Sequence, residues 1–111
     1  MVKYIPKKGD IVFVDMDPII GHEQGGTRPG IVISNDVFNR FSKMVILCPI
    51  TSNTKDFPTH YILEDTKIIN GAVLCEHVRS MDFEARKMRF VEEASENDLI
   101  SVITLMSTCV E

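Results

Sequence analysis

The stretch from 21 to 34, Gly-His-Glu-Gln-Gly-Gly-Thr-Arg-Pro-Gly-Ile-Val-Ile-Ser, admits few local structures. Gly21, Gly25 and Gly26 tolerate backbone angles and close approaches that other residues resist, and the polar side chains between them project from a turn. Pro29 disfavours the helical region for the residue before it, so Arg28 is held extended at the mouth of the apolar run Ile31 to Ile33. The segment reads as a loop feeding a buried strand, with a permanent cation where the two meet. On these residues alone, a plain hairpin whose arginine pairs with one of the chain's carboxylates is the simpler reading.

The rest of the chain is a series of short runs divided by turn signals. Gly9-Asp10 launches a strand over Ile11 to Met16 that Asp17-Pro18 ends, and Gly30 to Ser34 forms a second strand, too apolar for a solvent face along its whole length. Asn35 to Arg40 reads as one helical turn or an irregular crossing, Met44 to Ile50 as a third strand, and the polar segment 52–59, with Lys55 and Pro58, as an exposed loop. A fourth strand is expected over His60 to Leu63, a turn at Asn70-Gly71, and a fifth strand over Ala72 to Val78. Ser80 or Asp82 is placed to cap a short helix through Arg86, and Lys87 to Val91 reads as a last strand. Ser95 with Asp98 has the spacing of a helix cap ahead of Leu99, Ile100, Val102, Ile103, Leu105 and Met106. That final helix is apolar over more than one stripe, which implies burial on two sides or a surface awaiting a partner. Many short strands and one convincing terminal helix describe a mainly β chain, a small antiparallel barrel with helical additions.

Length and charge limit what such a barrel does. The 111 residues suit one domain, spanning 1–111, able to bury roughly two thirds of its unfolded surface. A net charge of −4 argues against a general nucleic-acid coat, which draws its affinity from phosphate neutralisation, yet leaves room for a local basic groove. Cys48, Cys75 and Cys109 form no CxxC pair and have no closely spaced His, so neither a zinc ribbon nor a redox motif is supported and buried thiols are expected. No run is long enough to cross a bilayer and the first residues lack a signal-peptide core, so a cytoplasmic location is expected.

Four pieces in order, Gly-Asp-Ile-Val-Phe-Val-Asp at 9–15, Gly-x-Glu-Gln-Gly-Gly-x-Arg-Pro at 21–29, Pro-Ile-Thr at 49–51 and Glu-His-Val-Arg-Ser-Met-Asp at 76–82, resemble the MazF/PemK family of toxin endoribonucleases. The resemblance runs over essentially the whole chain. It implies an SH3-like antiparallel barrel with a C-terminal helix, a homodimer with RNA along its interface, and metal-independent cutting of single-stranded mRNA at short motifs. The products it implies are 2′,3′-cyclic phosphate and 5′-hydroxyl ends. It also implies a MazE-like antitoxin whose disordered tail blocks the groove, and no cofactor or metal. Arg28 and Thr51 fall on the family's central catalytic pair.

The chemistry can be argued from the residue types. Forming a cyclic phosphate requires a base for the ribose 2′-hydroxyl, stabilisation of extra charge on the phosphate oxygens, and a proton for the leaving 5′-oxygen. The guanidinium of Arg28 suits the middle task, because its fork donates two hydrogen bonds and keeps its charge throughout. Glu23 is the first candidate for the base and a neutral His77 the second. The Thr51 hydroxyl suits donation to a phosphate oxygen, although a strand-end threonine bonding its own backbone is ordinary. His22, Gln24, Lys55, His77 and Arg79 are candidate RNA contacts, whereas His60 in a strand reads as a satisfied structural histidine. With no Trp in the chain, base stacking falls to Phe, Tyr or His. A reading from another class is a non-catalytic module on the same barrel, like the CcdB-type gyrase inhibitors. The Arg-Pro loop and following threonine together argue against it.

Overall fold

In the computed structural model, which describes residues 3–16 and 26–111, β-branched runs and turn residues lay out a sheet closed off by a terminal helix. The order is β1 (Asp10–Asp15), β2 (Thr27–Val32), α1 (Asp36–Ser42), β3 (Met44–Thr51), β4 (His60–Ile62), β5 (Ala72–Leu74), a 3₁₀ turn (Cys75–His77), β6 (Arg79–Asp82), β7 (Arg89–Glu93) and α2 (Glu96–Thr108). The strands pair antiparallel in the order β4-β5-β3-β2-β1-β7, with β6 also on β3. Among the described residues the edge strands β4 and β7 are not paired with each other, so the expected barrel is an open, curled sheet.

The sheet is buried on both faces, which explains why its central runs lack a polar alternation. Ile11, Ile31, Cys48, Ile50 and Val73 form one core with Val102 of α2, while Val12, Val14, Val32, Val45, Leu47 and Met81 form the other with Phe83 and Met88. Burial of the two inner thiols pushes Cys75 up to about 12 and Cys48 higher still, so both stay protonated and inert; Cys109 is exposed.

Two expectations are corrected. The run Ala72 to Val78 is not one strand: Ile50 pairs with Val73 and Leu47 with Arg79, so three residues of β3 are matched by six of its partner. The surplus is looped out as the 3₁₀ turn, which lifts Glu76 and His77 out of the ladder. Ser80 and Asp82 lie in a strand and start no helix. Asp82 Oδ1 accepts from Glu84 N (3.0 Å) and Ala85 N (2.9 Å), but a single turn follows because Phe83 and Met88 are drawn into the core. That turn delays the last strand, expected from Lys87, to Arg89.

Local caps behave as their sequences require. Asn35 accepts from Phe38 N at 2.8 Å to start α1, and Ser95 accepts from Asp98 N at 3.0 Å to start α2. Asp98 does not return a bond to Ser95. It is fully buried and accepts from the Tyr61 hydroxyl (2.7 Å), Glu64 N (3.2 Å) and Asp65 N (3.1 Å), locking α2 to the chain after β4.

A second carboxylate clasps the 67–69 loop: Glu92 on β7 accepts from Lys67 N (2.9 Å), Ile68 N (2.9 Å) and Ile69 N (2.7 Å). Burial pushes its carboxyl up, but these N–H donors and the Lys67 charge outweigh that and hold it below the usual carboxylate range. A depressed folded-state pKa gives stability present above the unfolded value and lost as pH falls through the folded one. Glu92→Gln should therefore cost about 1 kcal/mol at pH 7. The difference from the parent should shrink as urea midpoints are taken below the ordinary glutamate range. An equal deficit at all acid pH values would show that the charge is immaterial.

Candidate active site

Arg28 and Thr51 are brought together by strand register. Gly30 lies opposite Pro49, Ile31 opposite Cys48 and Val32 opposite Leu47, and the same register carried on sets Arg28 across from Thr51, two residues beyond the last paired rung. On the other side of β3, Thr51 is opposite Ala72 and Leu47 opposite Arg79. Side chains paired across a ladder share a face, so Arg28, Thr51 and Arg79 occupy the same side of the sheet. All three are half-buried. Arg79 stands four residues of β3 away from the Arg28–Thr51 end, across the point where β3 changes partners from β6 to β5.

Gly71 supports this corner by close approach. It has φ +150°, and a Cβ there would stand 2.2 Å from the Thr51 carbonyl oxygen, so only glycine lets the chain entering β5 press on the end of β3.

Thr51 Oγ1 accepts from Asn53 N at 3.2 Å, the local backbone bond expected of a strand-end threonine. That bond uses a lone pair and leaves the hydroxyl proton to be donated elsewhere. The segment is folded back again by Asn53, whose Oδ1 accepts from Lys55 N at 3.1 Å. The resulting cavity of about 220 Å³ is lined by Thr51, Asn53, Lys55, Asp56, Phe57, His60 and Leu74.

His60 is only half satisfied. Its Nε2 lies 2.9 Å from Glu76 Oε2, while Nδ1 is buried without a hydrogen-bond partner. The Phe57 ring lies against its imidazole, centroids 4.9 Å apart and tilted 39°. His77 Nε2 stands 4.0 Å from the same Glu76 oxygen. Burial pushes Glu76 up, but its own backbone N–H and the His60 ring outweigh this and keep its carboxyl below the usual range, so it is ionised at neutral pH.

The structure brings Thr51 and Lys55 into one cavity at the end of β3, with Arg28 across from Thr51 by extended register, whereas Arg79 lies opposite Leu47, four residues back along β3, and His77 stands beside Glu76 on the 3₁₀ turn. Glu23, His22 and Gln24 lie outside the described residues. Asn53, Phe57 and Glu76 join the site without having been named as candidates, and His60, expected to be a satisfied structural histidine, instead lines the cavity with a buried Nδ1 that has no hydrogen-bond partner; the one signal was that 52–60 is polar yet carries an aromatic ring and a histidine. Lys43 lies on another cavity with Asp82 and Glu84. Among the described residues, no three His, Cys, Asp or Glu side chains are grouped to hold a metal ion.

The family model for PemK-like, MazF-like toxins of type II toxin–antitoxin systems matches residues 7–107. The chain is 39% identical over 83 residues to Endoribonuclease EndoA of Bacillus subtilis, covering 70% of this chain and 72% of that protein. It is 34% identical over 84 residues to Endoribonuclease toxin MazF of Escherichia coli, covering 76% and 75%. In structure it resembles MazF from Deinococcus radiodurans, with a TM-score of 0.90 at 33% identity over 96% of both chains. It also resembles a MazE–MazF crystal structure from that organism, with a TM-score of 0.82 at 27% identity over 96% of this chain and 95% of the other. A site built at the mouth of one curled sheet, and a match over nearly the whole length, place the chain in the PemK-like, MazF-like toxin family.

Proposed function

We infer that this protein is an endoribonuclease toxin of a type II toxin–antitoxin pair. It cuts single-stranded mRNA at a short sequence motif, without ribosome or metal, and leaves 2′,3′-cyclic phosphate and 5′-hydroxyl ends. The reading includes a cytoplasmic homodimer held in check by a MazE-like antitoxin, in keeping with the MazE–MazF complexes among its structural relatives. Among the described residues no helix is long and apolar enough to cross a membrane.

The observation that carries the reading is the β2–β3 register, which extended two residues beyond its last rung sets Arg28 across from Thr51, itself in the wall of a cavity with Lys55 and His60. The ribose 2′-oxygen attacks phosphorus and the bond to the 5′-oxygen breaks. Arg28 neutralises charge on the non-bridging oxygens, and Thr51 donates its hydroxyl to one of them. Glu23 takes the 2′-proton, with neutral His77, next to ionised Glu76, as the second candidate, and the departing 5′-oxygen, hydrogen-bonded by Arg28, takes up a proton from water to leave as the 5′-hydroxyl. Because the nucleophile belongs to the substrate and a fixed guanidinium supplies the charge, the chemistry asks for no cation of its own. Lys55, Arg79, His22 and Gln24 hold the flanking nucleotides. Phe57, 51% exposed at the rim of the cavity, is the ring for stacking.

Purified protein incubated with a defined single-stranded transcript in excess EDTA should yield discrete fragments. Their 5′ ends should accept phosphate from a kinase without prior dephosphorylation. Intact RNA, or fragments already bearing 5′-phosphate, would overturn the reading, and sequencing the ends gives the motif.

A further inference from the structure

The pair Asn70-Gly71 stands where the chain enters β5, against the end of β3. Of the five asparagines in the chain only Asn70 precedes a glycine; the others precede Asp36, Arg40, Thr54 and Asp98. The difference is chemical, because a glycine amide has no Cβ beside it to hinder its approach to the preceding side chain. Asn70 is exposed and lies outside helix and strand. The loop is tied on either side of it, by Glu92 on the amides of 67–69 and by Gly71 O, which accepts from Leu63 N at 3.0 Å. Among the described residues no hydrogen bond holds the Asn70 side chain itself. Gly71 is buried against the Thr51 carbonyl, and Ala72 after it is paired with both Thr51 and Ile62.

We propose that Asn70 is a site of spontaneous modification, at which a succinimide forms and opens to isoaspartate, inserting a backbone carbon beside Thr51 and ending cleavage as the protein ages. In the first step Gly71 N bonds to Asn70 Cγ, the Cγ–Nδ2 bond breaks, and the amide proton leaves with that nitrogen as ammonia. In the second step water opens the ring. Attack at the Asn70 main-chain carbonyl gives isoaspartate and attack at Cγ gives aspartate. Aspartate keeps the chain length and adds only a charge. Isoaspartate routes the chain through Cβ and Cγ, which adds one carbon–carbon bond of about 1.5 Å directly before Gly71. Gly71 already touches the Thr51 carbonyl and Ala72 is fixed in two ladders, so the added length displaces the Gly71 seat and with it the end of β3. A shift of about 1 Å in a reacting group is worth up to ~10²-fold in rate. The loss of cleavage rests on the RNA-cleaving reading; the modification does not.

The test ages the purified protein in warm, mildly alkaline buffer beside a reference peptide containing Asn-Gly, with samples taken over days. Peptide mapping should show the mass gained on exchange of an amide for a carboxyl only in the peptide that holds Asn70, and faster at higher pH. Most of that product should accept methyl groups from a protein isoaspartate methyltransferase. The single-turnover cleavage rate should fall in step, with isoaspartyl molecules at least about tenfold slower than fresh protein, and the urea midpoint should drop. Fresh Asn70→Asp should cut close to the parent rate. Asn70→Gln, which must close a larger ring, should keep its activity throughout. An Asn70 peptide left unchanged while the reference peptide converts would overturn the proposal. So would activity that survives conversion to isoaspartate, equal decay in Asn70→Gln, or a loss in fresh Asn70→Asp as large as that on ageing. A fresh parent protein that cuts no RNA would instead remove the nuclease reading, and the isoaspartate count with the urea midpoint would then decide the modification.

Discussion

Arg28→Ala should lower single-turnover cleavage of single-stranded RNA by about 10³-fold while retaining a β-rich circular dichroism spectrum and the dimer. The reason is electrostatic. The transition state gathers charge on the phosphate oxygens, and removing one fixed donor to such charge costs about 10²–10³-fold in comparable sites. A guanidinium supplies two donors and a full charge. Arg28→Lys should recover only part of the rate, because an ammonium cannot make the paired hydrogen bonds. Thr51→Val, which removes one neutral hydroxyl at nearly constant shape, should cost less, about 10²-fold. Full activity in Arg28→Ala would sink the mechanism. Loss of activity together with loss of folded signal would mean that the side chain acts as a strut for the β2 strand.

The second large effect concerns stability. Asp98→Ala should cost about 3 kcal/mol by urea denaturation, because it leaves three donors facing a buried hole: Tyr61 OH, Glu64 N and Asp65 N. Against a total stability of roughly 5–15 kcal/mol that is a large share. Burial first, and then the bond to Asp98, push the Tyr61 hydroxyl up to about 12, so the donor is intact at any working pH. Asp98→Asn keeps the volume and one acceptor and should fall between parent and alanine. The consequence reaches the site, since α2 packs on β4 and on the 3₁₀ turn that carries Glu76 and His77. A change in urea midpoint of only a few tenths of a kcal/mol would show that water replaces the carboxylate at no cost.

Features set by near neighbours in the chain were legible in the residues. β1 and β3 followed from β-branched runs bounded by Gly9 and Thr51, whereas β2, expected over Gly30 to Ser34, runs from Thr27 to Val32 because pairing with β1 draws Thr27, Arg28 and Pro29 into the sheet. The Ser95 cap followed from a side chain reaching three residues on, but the turn expected at Asn70-Gly71 is a longer loop between β4 and β5, with Gly71 O accepting from Leu63 N at its base. Arg28 and Thr51 could be named, but their opposition depends on the β2–β3 register. The four-residue spacing within a motif carries that information no better than the distance between motifs.

Other features exist only once distant strands have paired and the sheet has curled. β3 must pair with β6 and β5 in turn, and the three residues left over become the 3₁₀ turn at Cys75–His77, where the run Ala72 to Val78 had looked continuous. Asp98 has the look of a capping residue and becomes a buried anchor for residues more than thirty positions earlier. Glu92 clasps a loop that no local pattern links to it, and Arg86 meets Asp15 across 71 residues. Short-range hydrogen bonding and side-chain shape thus determined the strands, caps and turns from the sequence. Which carboxylate is buried, which cations converge and which strand face holds the site were decided by tertiary structure, because each depends on groups that become neighbours only through long-range antiparallel pairing.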